Sequence, residues 1–382
     1  MTEQDIAMSV ASDVVVCVPC VDHYPQFKEA EDVKGFEGEY DRMNLKLMKT
    51  IDGNLFVSRY ATKNPMFISA GTYGEVYRYE SQSGTYAIKK FRLLDAENVY
   101  DQVYTNCCME VIMLKSISHP NIVRILDAGM IGGYLHAAFD YYENNLSCQT
   151  FKEIRQHHKN WQCAMLKQIS HALAYLHSQQ IIHRDIKPTN ILFRVVVSAI
   201  TGKKYIHFAL CDFGAAIDCK LYDKPVVVQT KVTTPMFEAP EMMFRSRMYT
   251  SAVDIFALGC TLYYTMTGGE PLLPPNIGDL DPSDGFALMQ GRLQCATSDE
   301  RAFFATLPAV NLKHIDLLWS IRYCKIDGCK HIGMCNTLFR EMVSLHPNNR
   351  PTAAQVHLKI LAIIKKQREI SIAYKQAECK VL

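Results

Sequence analysis

Three polar side chains stand close together between two apolar runs in the segment IIHRDIKPTNILF, residues 181–193. The carboxylate of Asp185 can orient a hydroxyl group and accept its proton, and the ammonium group of Lys187 can neutralise a phosphoryl group moving toward that hydroxyl. The amide oxygen of Asn190 is a hard ligand of the kind that Mg²⁺ binds. Taken alone, the segment also fits a charged turn. The apolar flanks predict a rigid loop held between two core anchors.

Other candidate residues for the same chemistry are spread over the chain. Asp212 follows an apolar run in the segment CDFGAA and is a second candidate metal ligand. Gly71 and Gly74 lie in a turn between predicted strands, where a missing side chain lets backbone N–H groups approach phosphate oxygens. Lys89 lies in the apolar strand AIKK, and Glu110 lies in a predicted helix. Each residue alone is explained as well by a turn or a solvated position. Only the occurrence of all of them, in this order along the chain, indicates a shared chemistry.

The elements that must position these residues fall into two groups. Alternating residues and Gly-containing turns predict three strands over 66–93, a helix over 97–116 and two strands over 121–142. Apolar residues at helical spacing then predict helices at 161–180, 254–268 and 353–367. Between Asn190 and Asp212 the chain is long enough for an extra hairpin. The fold class is therefore α+β, with a small β-rich lobe and a larger, mainly helical lobe.

The bulk composition excludes several classes of protein. The 382 residues carry a formal net charge of +2, which gives no global electrostatic reason to bind nucleic acid or a membrane surface. No apolar run reaches the roughly 18 residues that cross a bilayer. Residues 9–21 are apolar, but Asp13 interrupts them and no basic flank precedes them, so we do not interpret them as a signal peptide. We expect an intracellular protein without nucleic-acid partners or membrane insertion.

The fourteen cysteines are scattered along the chain rather than framing a small domain. Without a secretory signal, this usage predicts reduced thiols in a cytosolic or nuclear protein. Two groups of residues are candidate metal ligands, and neither has the spacing of a standard zinc site. We interpret both as ordinary thiols, with a metal site as the alternative: Cys17 and Cys20, and Cys324, Cys329, His331 and Cys335.

The ordered motifs resemble those of the eukaryotic serine/threonine protein kinase family: a glycine loop, strand lysine, helix glutamate, His-Arg-Asp-x-Lys-x-x-Asn, Asp-Phe-Gly and Ala-Pro-Glu. The resemblance covers residues 62–363 and implies a two-lobed fold. A five-stranded antiparallel lobe with one helix would span about 62–142, and a mainly helical lobe about 143–363. Residues 1–61 would be an acidic extension, either a partly disordered tail or a regulatory segment, and residues 364–382 a C-terminal tail.

The resemblance implies ATP and Mg²⁺ as cofactors and assigns roles by position. Asp185 would be the catalytic base, assisted by Lys187, Asn190 and Thr234. Asn190 and Asp212 would bind Mg²⁺. Lys89 would hold the α- and β-phosphates and pair with Glu110. The full set of nucleotide-binding residues implied is Ile68, Ser69, Ala70, Gly71, Thr72, Tyr73, Gly74, Glu75, Val76, Ala87, Lys89, Glu110 and Leu192.

Further implied roles are structural. The adenine ring would lie between Val76, Ala87 and Leu192. Phe213 would stack between His183 and the helix near Leu114. Asp254 would anchor the backbone of the catalytic loop. Glu241 of the Ala-Pro-Glu segment would form a buried ion pair with Arg350.

Two positions indicate which hydroxyl group is phosphorylated. Lys187, two residues after Asp185, and Thr234, seven before Glu241, are typical of serine/threonine kinases, so the implied partners are proteins carrying Ser or Thr. Arg184 is typical of kinases in which a phosphate orders the activation segment, and Thr230 is the candidate residue. A constitutively ordered loop is the alternative.

Among such kinases, the chain resembles the serine/threonine kinase encoded in the short unique region of alphaherpesviruses. The cues are the acidic extension, the segment TTPMFEAPE and the segment CDFGAA. That resemblance implies phosphorylation of viral and host proteins in the host cytoplasm and nucleus, with roles in nuclear egress and in restraining apoptosis. It also implies Arg-rich target sites. Thr189 and Asn145 stand where acids often read such sites, so this preference is not legible here, and the oligomeric state is left open.

Two rival functions remain at this stage. A catalytically weak pseudokinase-like scaffold would keep the fold and lose Lys89, Asp185 or Asp212, and all three residues are present. A small-molecule kinase would share these residues but would usually lack the Ala-Pro-Glu segment and its partner Arg350. Transfer of labelled phosphate to protein substrates distinguishes these alternatives.

Overall fold

The structure is a computed structural model, and it describes residues 52–60, 65–71, 74–91, 102–158, 160–200, 202–221, 234–243, 250–273 and 332–378. Within these ranges the chain forms ten strands and eight α-helices. The strands are β1 Met66–Gly71, β2 Gly74–Ser81, β3 Gly84–Phe91, β4 Ile125–Ile131, β5 Tyr134–Asp140, β6 Asn144–Asn145, β7 Ile181–Ile182, β8 Ile191–Val197, β9 Lys204–Leu210 and β10 Ile217–Asp218. The helices are α1 Gly53–Tyr60, α2 Gln102–Ser116, α3 Gln149–His157, α4 Trp161–Ser178, α5 Pro240–Met243, α6 Ala252–Thr267, α7 Ile332–Met342 and α8 Ala353–Glu378.

The small lobe is built on one antiparallel sheet with the strand order β1-β2-β3-β5-β4. Strand β3 lies in the middle and pairs with β2 and β5 over most of its length. Because side chains alternate along a strand, Ala87 and Lys89 share one face of the sheet, and Ile88 lies on the other. The predicted five-stranded lobe with one helix, here α2, is confirmed.

A helix at the end of the predicted extension packs on the outer face of this sheet. Asp52 begins α1, and its carboxylate accepts the backbone N–H groups of Asn54 and Leu55. Phe56 is fully buried in a small cluster with Ile88 and Ala138. This helix is regular structure that the sequence interpretation did not predict within the acidic extension of residues 1–61. A single apolar anchor gives too weak a periodicity to be detected, although the Asp cap was legible; residues 1–51 lie outside the described residues.

The large lobe surrounds the two long buried helices α4 and α6. Eleven of the sixteen residues of α6 are buried and none is exposed, as its continuous apolar sequence predicts. Helix α8 packs along α4 and ends at Glu378, so it is longer than the helix predicted over 353–367 and extends into the predicted C-terminal tail. No Gly or Pro interrupts residues 353–378. The buried Gln367 donates from Nε2 to the Sγ atom of Cys163 in α4 at 3.8 Å, which fixes the continued helix against the lobe.

Strands β8 and β9 form the extra hairpin predicted between Asn190 and Asp212, paired over seven positions. Strand β6 extends this sheet by two residues beside the start of β8. The open edge of β9 is covered by amide side chains: Gln168 contacts Ile206 and Phe208, and Asn121 donates to the Phe208 carbonyl group at 2.8 Å. These amides replace a neighbouring strand and fix the hairpin base to α4. Among the described helices, none has the length and hydropathy of a membrane-spanning segment.

Candidate active site

The loop 183–190 is held in place from below by one buried carboxylate. Asp254, in the first turn of α6, accepts the backbone N–H groups of His183 at 2.9 Å and Arg184 at 2.8 Å. Arg184 adopts a left-handed backbone conformation with φ 66°, which these two hydrogen bonds stabilise. The predicted contact of Asp254 with the catalytic-loop backbone is present. Burial alone would raise the pKa of Asp254, but the bond to His177 and the nearby imidazoles lower it, so the group stays ionised.

The polar residues of this loop converge on Asp185. Its Oδ2 atom lies 2.7 Å from the Lys187 ammonium group and accepts a 3.0 Å hydrogen bond from the Asn190 amide nitrogen. Lys187 also donates to the Thr234 hydroxyl at 3.1 Å, which connects the loop to the segment that follows residue 233. The sequence placed these four residues up to 49 positions apart, and the fold brings all four into one cluster.

A second cluster joins the two lobes. Lys89 of β3 lies 2.7 Å from Glu110 of α2 and 3.1 Å from the Asp212 carboxylate. Burial would lower the pKa of Lys89, but the carboxylates of Asp212 and Glu110 raise it, so the amine is an ammonium group. Burial likewise opposes the charge on Asp212, and the Lys89 ammonium overcomes it and lowers the pKa of Asp212. Burial raises the pKa of Glu110 to about 7 against the opposing effect of Lys89.

Three side-chain oxygen atoms in these clusters each accept at most one long hydrogen bond from the described part of the chain. Within the described residues, neither Asp185 Oδ1 nor Asp212 Oδ2 accepts a hydrogen bond, and Asn190 Oδ1 accepts only a long 3.4 Å bond from Thr189. Asn190 and Asp212 are neighbours in space, because the N–H group of Cys211 donates to the Asn190 carbonyl group at 3.0 Å. Asp212 is partly open, with 34% of its side chain exposed. Hard, unpartnered oxygens beside two ammonium groups fit a magnesium-bound nucleotide and a hydroxyl substrate.

The predicted glycine loop occupies β1 and β2, with Thr72 and Tyr73 outside the described residues. Ile68, Ser69, Ala70 and Gly71 are exposed at the edge strand β1, and a Cβ atom on Gly71 would meet open space. At Gly74 a Cβ atom would lie 2.3 Å from the Lys90 carbonyl oxygen, so contact with β3 requires glycine there. Glu75 accepts a 2.7 Å hydrogen bond from the Tyr77 hydroxyl.

The three residues predicted around the adenine ring lie on two sheets, with Val76 and Ala87 on neighbouring strands of the small lobe. Val76 pairs directly with Lys89 across β2 and β3, and Ala87 lies two positions before Lys89 on the same face. Leu192 belongs to β8 and packs partly buried against the main core. The structure thus places Val76 and Ala87 beside Lys89, while Leu192 lies at the start of the hairpin in the large lobe.

Two of the predicted structural contacts are present, that of Phe213 with His183 and that of Glu241 with Arg350, and the contact of Phe213 with the helix near Leu114 stays a prediction. Phe213 is buried, and its ring centroid lies 4.8 Å from that of His183. Glu241 and Arg350 form a two-pronged buried pair, with N–O distances of 2.6 and 2.9 Å. Arg184 donates from Nε to the carbonyl group of Ala215. Its predicted partner Thr230 lies outside the described residues.

The sequence interpretation missed His177, whose Nε2 atom lies 2.9 Å from Asp254 Oδ2. Its position on α4 gave no local signal, because the contact forms only when α4 packs on α6. The two candidate zinc groups lie outside the described residues: Cys17, Cys20, Cys324, Cys329 and His331, together with the side chain of Cys335. Among the described residues, no cluster of His, Cys, Asp or Glu has a metal-binding arrangement.

Comparison with known families agrees with this geometry. Residues 63–359 match the family model for the protein kinase domain, which is more than half of the chain. This chain belongs to the protein kinase family. The match confirms the predicted two-lobed fold, and members of this family use ATP together with a divalent metal ion.

Similar kinases are found in several kingdoms. A protein named probable cyclin-dependent kinase 8 from Dictyostelium discoideum is 34% identical over 306 residues, which cover 75% of this chain and 77% of the relative. Cyclin-dependent kinase E-1 from Arabidopsis thaliana is 33% identical over 323 residues, 75% of this chain and 63% of the relative. A serine/threonine-protein kinase named SSN3 from Phaeosphaeria nodorum is 34% identical over 60% of this chain; the chain spans about half the length of that relative, 51%. These names agree with the predicted serine/threonine class.

Proposed function

We propose that this chain transfers the γ-phosphate of Mg-ATP to serine and threonine hydroxyl groups of proteins. One observation carries the proposal: Asp185, Asn190 and Asp212 present oxygen atoms with little or no protein hydrogen bonding beside Lys89 and Lys187. Clustered carboxylate and amide oxygens beside two ammonium groups suit a ligand that carries both a hard metal ion and phosphate groups. Asn190 and Asp212 would hold Mg²⁺, which would neutralise charge on the phosphates when bound.

The remaining residues have distinct roles in this proposal. Asp185 Oδ1 accepts the proton of the substrate hydroxyl, because its other oxygen is already occupied by Lys187 and Asn190. Lys187 lies where it can stabilise charge on the group in transfer. Lys89 contacts the phosphates from the small lobe, and Glu110 keeps its ammonium group in position.

The serine/threonine class is supported by the contacts of Lys187. Its ammonium group bridges Asp185 and Thr234, at 2.7 and 3.1 Å. This bridge fixes the position of Asp185, toward which the acceptor hydroxyl approaches. The site then suits a short Ser or Thr side chain, since the carboxylate base lies close to the loop backbone.

The proposal is tested with the Asp185→Asn variant of the full chain. We expect transfer of labelled phosphate to a mixed protein substrate to fall by about 10³-fold, the scale of a lost general base. ATP should still raise the melting temperature, because the nucleotide contacts assigned to Lys89 remain. Glu153→Gln is the matched control: it makes the same carboxylate-to-amide change at an exposed residue of α3 and should keep full activity.

Each other outcome identifies a rival. Full activity of the Asp185→Asn variant would remove Asp185 from the role of base. A wild-type chain that binds ATP without transferring phosphate would be a scaffold, and one that phosphorylates only small molecules would be a small-molecule kinase. Acid hydrolysis of the labelled protein should yield phosphoserine and phosphothreonine, and phosphotyrosine would contradict the class.

Finer proposals concern the biological setting. We propose membership of the alphaherpesvirus kinase group, with substrates in the host cytoplasm and nucleus and roles in nuclear egress and apoptosis. The sequence cues support this, whereas the relatives named above are fungal, plant and amoebal proteins. Phosphorylation of a degenerate peptide library would test the Arg-rich preference. Mass spectrometry of the purified chain would test phosphate at Thr230.

A further inference from the structure

The hairpin β8–β9 has a composition unlike the rest of the chain. Between Asn190 and Asp212 it contains no acidic residue, while Arg194, Lys203 and Lys204 are basic. Three positive charges on one projecting element compare with +2 for the whole chain. The hairpin is therefore a local cationic surface on an almost neutral protein.

The same hairpin presents apolar side chains to solvent. Ile200 at its tip is 96% exposed, and the exposed fractions of Val195, Val197 and Tyr205 are 43%, 57% and 47%. Its base is the opposite: Phe193 and Phe208 are fully buried in the core of the large lobe. A hairpin with a buried base and an exposed apolar tip is typical of a surface that binds another molecule, because the core of this chain already holds its base.

The register places charge and apolar surface together. Val195 and Val197 share one face of β8, and Lys204 lies directly opposite Val197. Strand β6 pairs only with Leu192 and Phe193, so within the described residues β8 has no strand neighbour on that side beyond Phe193. An extended peptide can add there as a further strand, with its acidic side chains beside the lysines and its apolar ones on the valines.

We propose that the β8–β9 hairpin is a docking site for an extended acidic and apolar segment of a protein substrate. This rests on the proposed protein-kinase function. A membrane surface is the weaker occupant, because three cations contribute only about 1 kcal/mol each near anionic lipid and no amphipathic helix accompanies them. Position also favours a substrate, since β8 starts one residue after Asn190.

The position of the docking site sets a spacing. At about 3.3 Å per residue, the end of β8 lies roughly 20–25 Å from Asn190. A substrate held at the hairpin would reach Asp185 through a linker of roughly seven to ten extended residues. Docking raises the local concentration of the acceptor, so it lowers KM without changing kcat.

The first test is direct binding to the full chain. A fluorescent peptide EVEFEVEFE should bind more tightly than KVKFKVKFK in an anisotropy titration. Lys203→Glu with Lys204→Glu should weaken binding of the acidic peptide about tenfold or more, and Ile200→Asp should also weaken it. The matched control, Lys365→Glu with Lys366→Glu, reverses two exposed lysines on α8 and should bind like the wild type.

Several outcomes would overturn the docking site. These are equal binding of both peptides, unchanged binding by the hairpin variants, or hairpin-dependent binding to equimolar phosphatidylserine and phosphatidylcholine vesicles without binding of the peptide. The anisotropy readout needs no phosphate transfer, so it stands or fails separately from the kinase proposal. In activity assays the hairpin variants should raise KM only for a substrate that carries the acidic segment, and should leave a short substrate without it unaffected.

Discussion

The two buried ion pairs of this protein differ in how completely the chain satisfies them. Arg350 donates all five of its N–H groups: two to Glu241, and three to the carbonyl groups of Ser344, Leu345 and Ala252. Its guanidinium group also lies 4.9 Å from the Phe256 ring centroid. This pair is complete within the large lobe and offers nothing to a ligand.

The pair formed by Lys89 and Glu110 is open by contrast. Lys89 is shared with Asp212, whose second oxygen accepts no hydrogen bond in the described part of the chain. Burying a charge costs free energy unless its partners compensate, so an incomplete cluster lowers stability. The two buried pairs therefore have different uses: the complete pair stabilises the fold, and the incomplete one is arranged for a ligand.

The largest expected effect is on the complete pair. Arg350→Met should lower the free energy of unfolding by about 3–5 kcal/mol, because Glu241 would remain buried without a partner. Urea denaturation of the purified chain measures this. The double variant Arg350→Met with Glu241→Met should recover more than half of the loss, since both charges are then gone. If the double variant is the less stable one, the pair is not the source of the effect.

The second largest effect is expected on the face of the small-lobe sheet opposite the pair of Lys89 and Glu110. Lys89 lies on β3, and its neighbour Ile88 contacts the buried Phe56 on the opposite face of the sheet. Phe56→Ala should cost about 3 kcal/mol, the lower end of the range for a buried aromatic, because the short helix α1 can detach. Leu55→Ala, which truncates a 41% exposed side chain on the same helix, should cost less than about 0.5 kcal/mol.

Helix α1 lies before residue 63, where the family match begins. A chain truncated at residue 63 should therefore lose stability as the Phe56→Ala variant does. Phe56→Leu should restore most of the stability lost in Phe56→Ala, because it refills the apolar contact. Equal stability of Phe56→Ala and Leu55→Ala would show that α1 does not support the sheet.

The third effect concerns activity more than stability. Glu110→Gln keeps the shape of the side chain and removes one of the two carboxylate charges that share Lys89, leaving Asp212 as the other. We expect kcat/KM to fall about 30-fold, the equivalent of about 2 kcal/mol for a hydrogen bond to a charged group. The free energy of unfolding should change less than in Arg350→Met. A large loss of stability with unchanged activity would reverse our division of the two pairs.

The sequence predicted much of this arrangement, because the cleft residues lie in short motifs whose spacing is fixed by local backbone geometry. Asp185, Lys187 and Asn190 lie within six residues, and the pairing of Lys89 with Glu110 followed from the family resemblance. The five strands were legible from alternation and turns. These features depend on neighbours in sequence or on a recognised motif.

What the sequence did not predict depends on contacts between distant elements. Helix α1 has one apolar anchor, which acquires meaning only through Ile88 and Ala138. The contact of Gln367 with Cys163 forms only because α8 packs on α4. His177 contacts Asp254 only because two helices cross. None of these contacts leaves a periodic signal in its own segment, so only the packed structure shows them.

The smallest expected effect comes from a cluster of three histidine side chains at helix α4. His119, before β4, bonds to His171 of α4 at 2.9 Å, and His171 stacks on His357 of α8 at a centroid distance of 4.8 Å. Burial, with the neighbouring imidazoles, lowers the pKa of His119 to about 4. The unfolded chain takes up this proton near pH 6.5 and the folded chain only near pH 4.

The stability due to a neutral His119 is therefore fully present above pH 6.5 and is lost as the pH falls toward 4. Because the side chain is only half-buried, we expect a loss of about 1 kcal/mol over this window. Urea denaturation at a series of pH values should show a shallower slope for His119→Gln than for the wild type. The same slope in both proteins would mean that His119 contributes to stability through packing alone, without a contribution from its protonation.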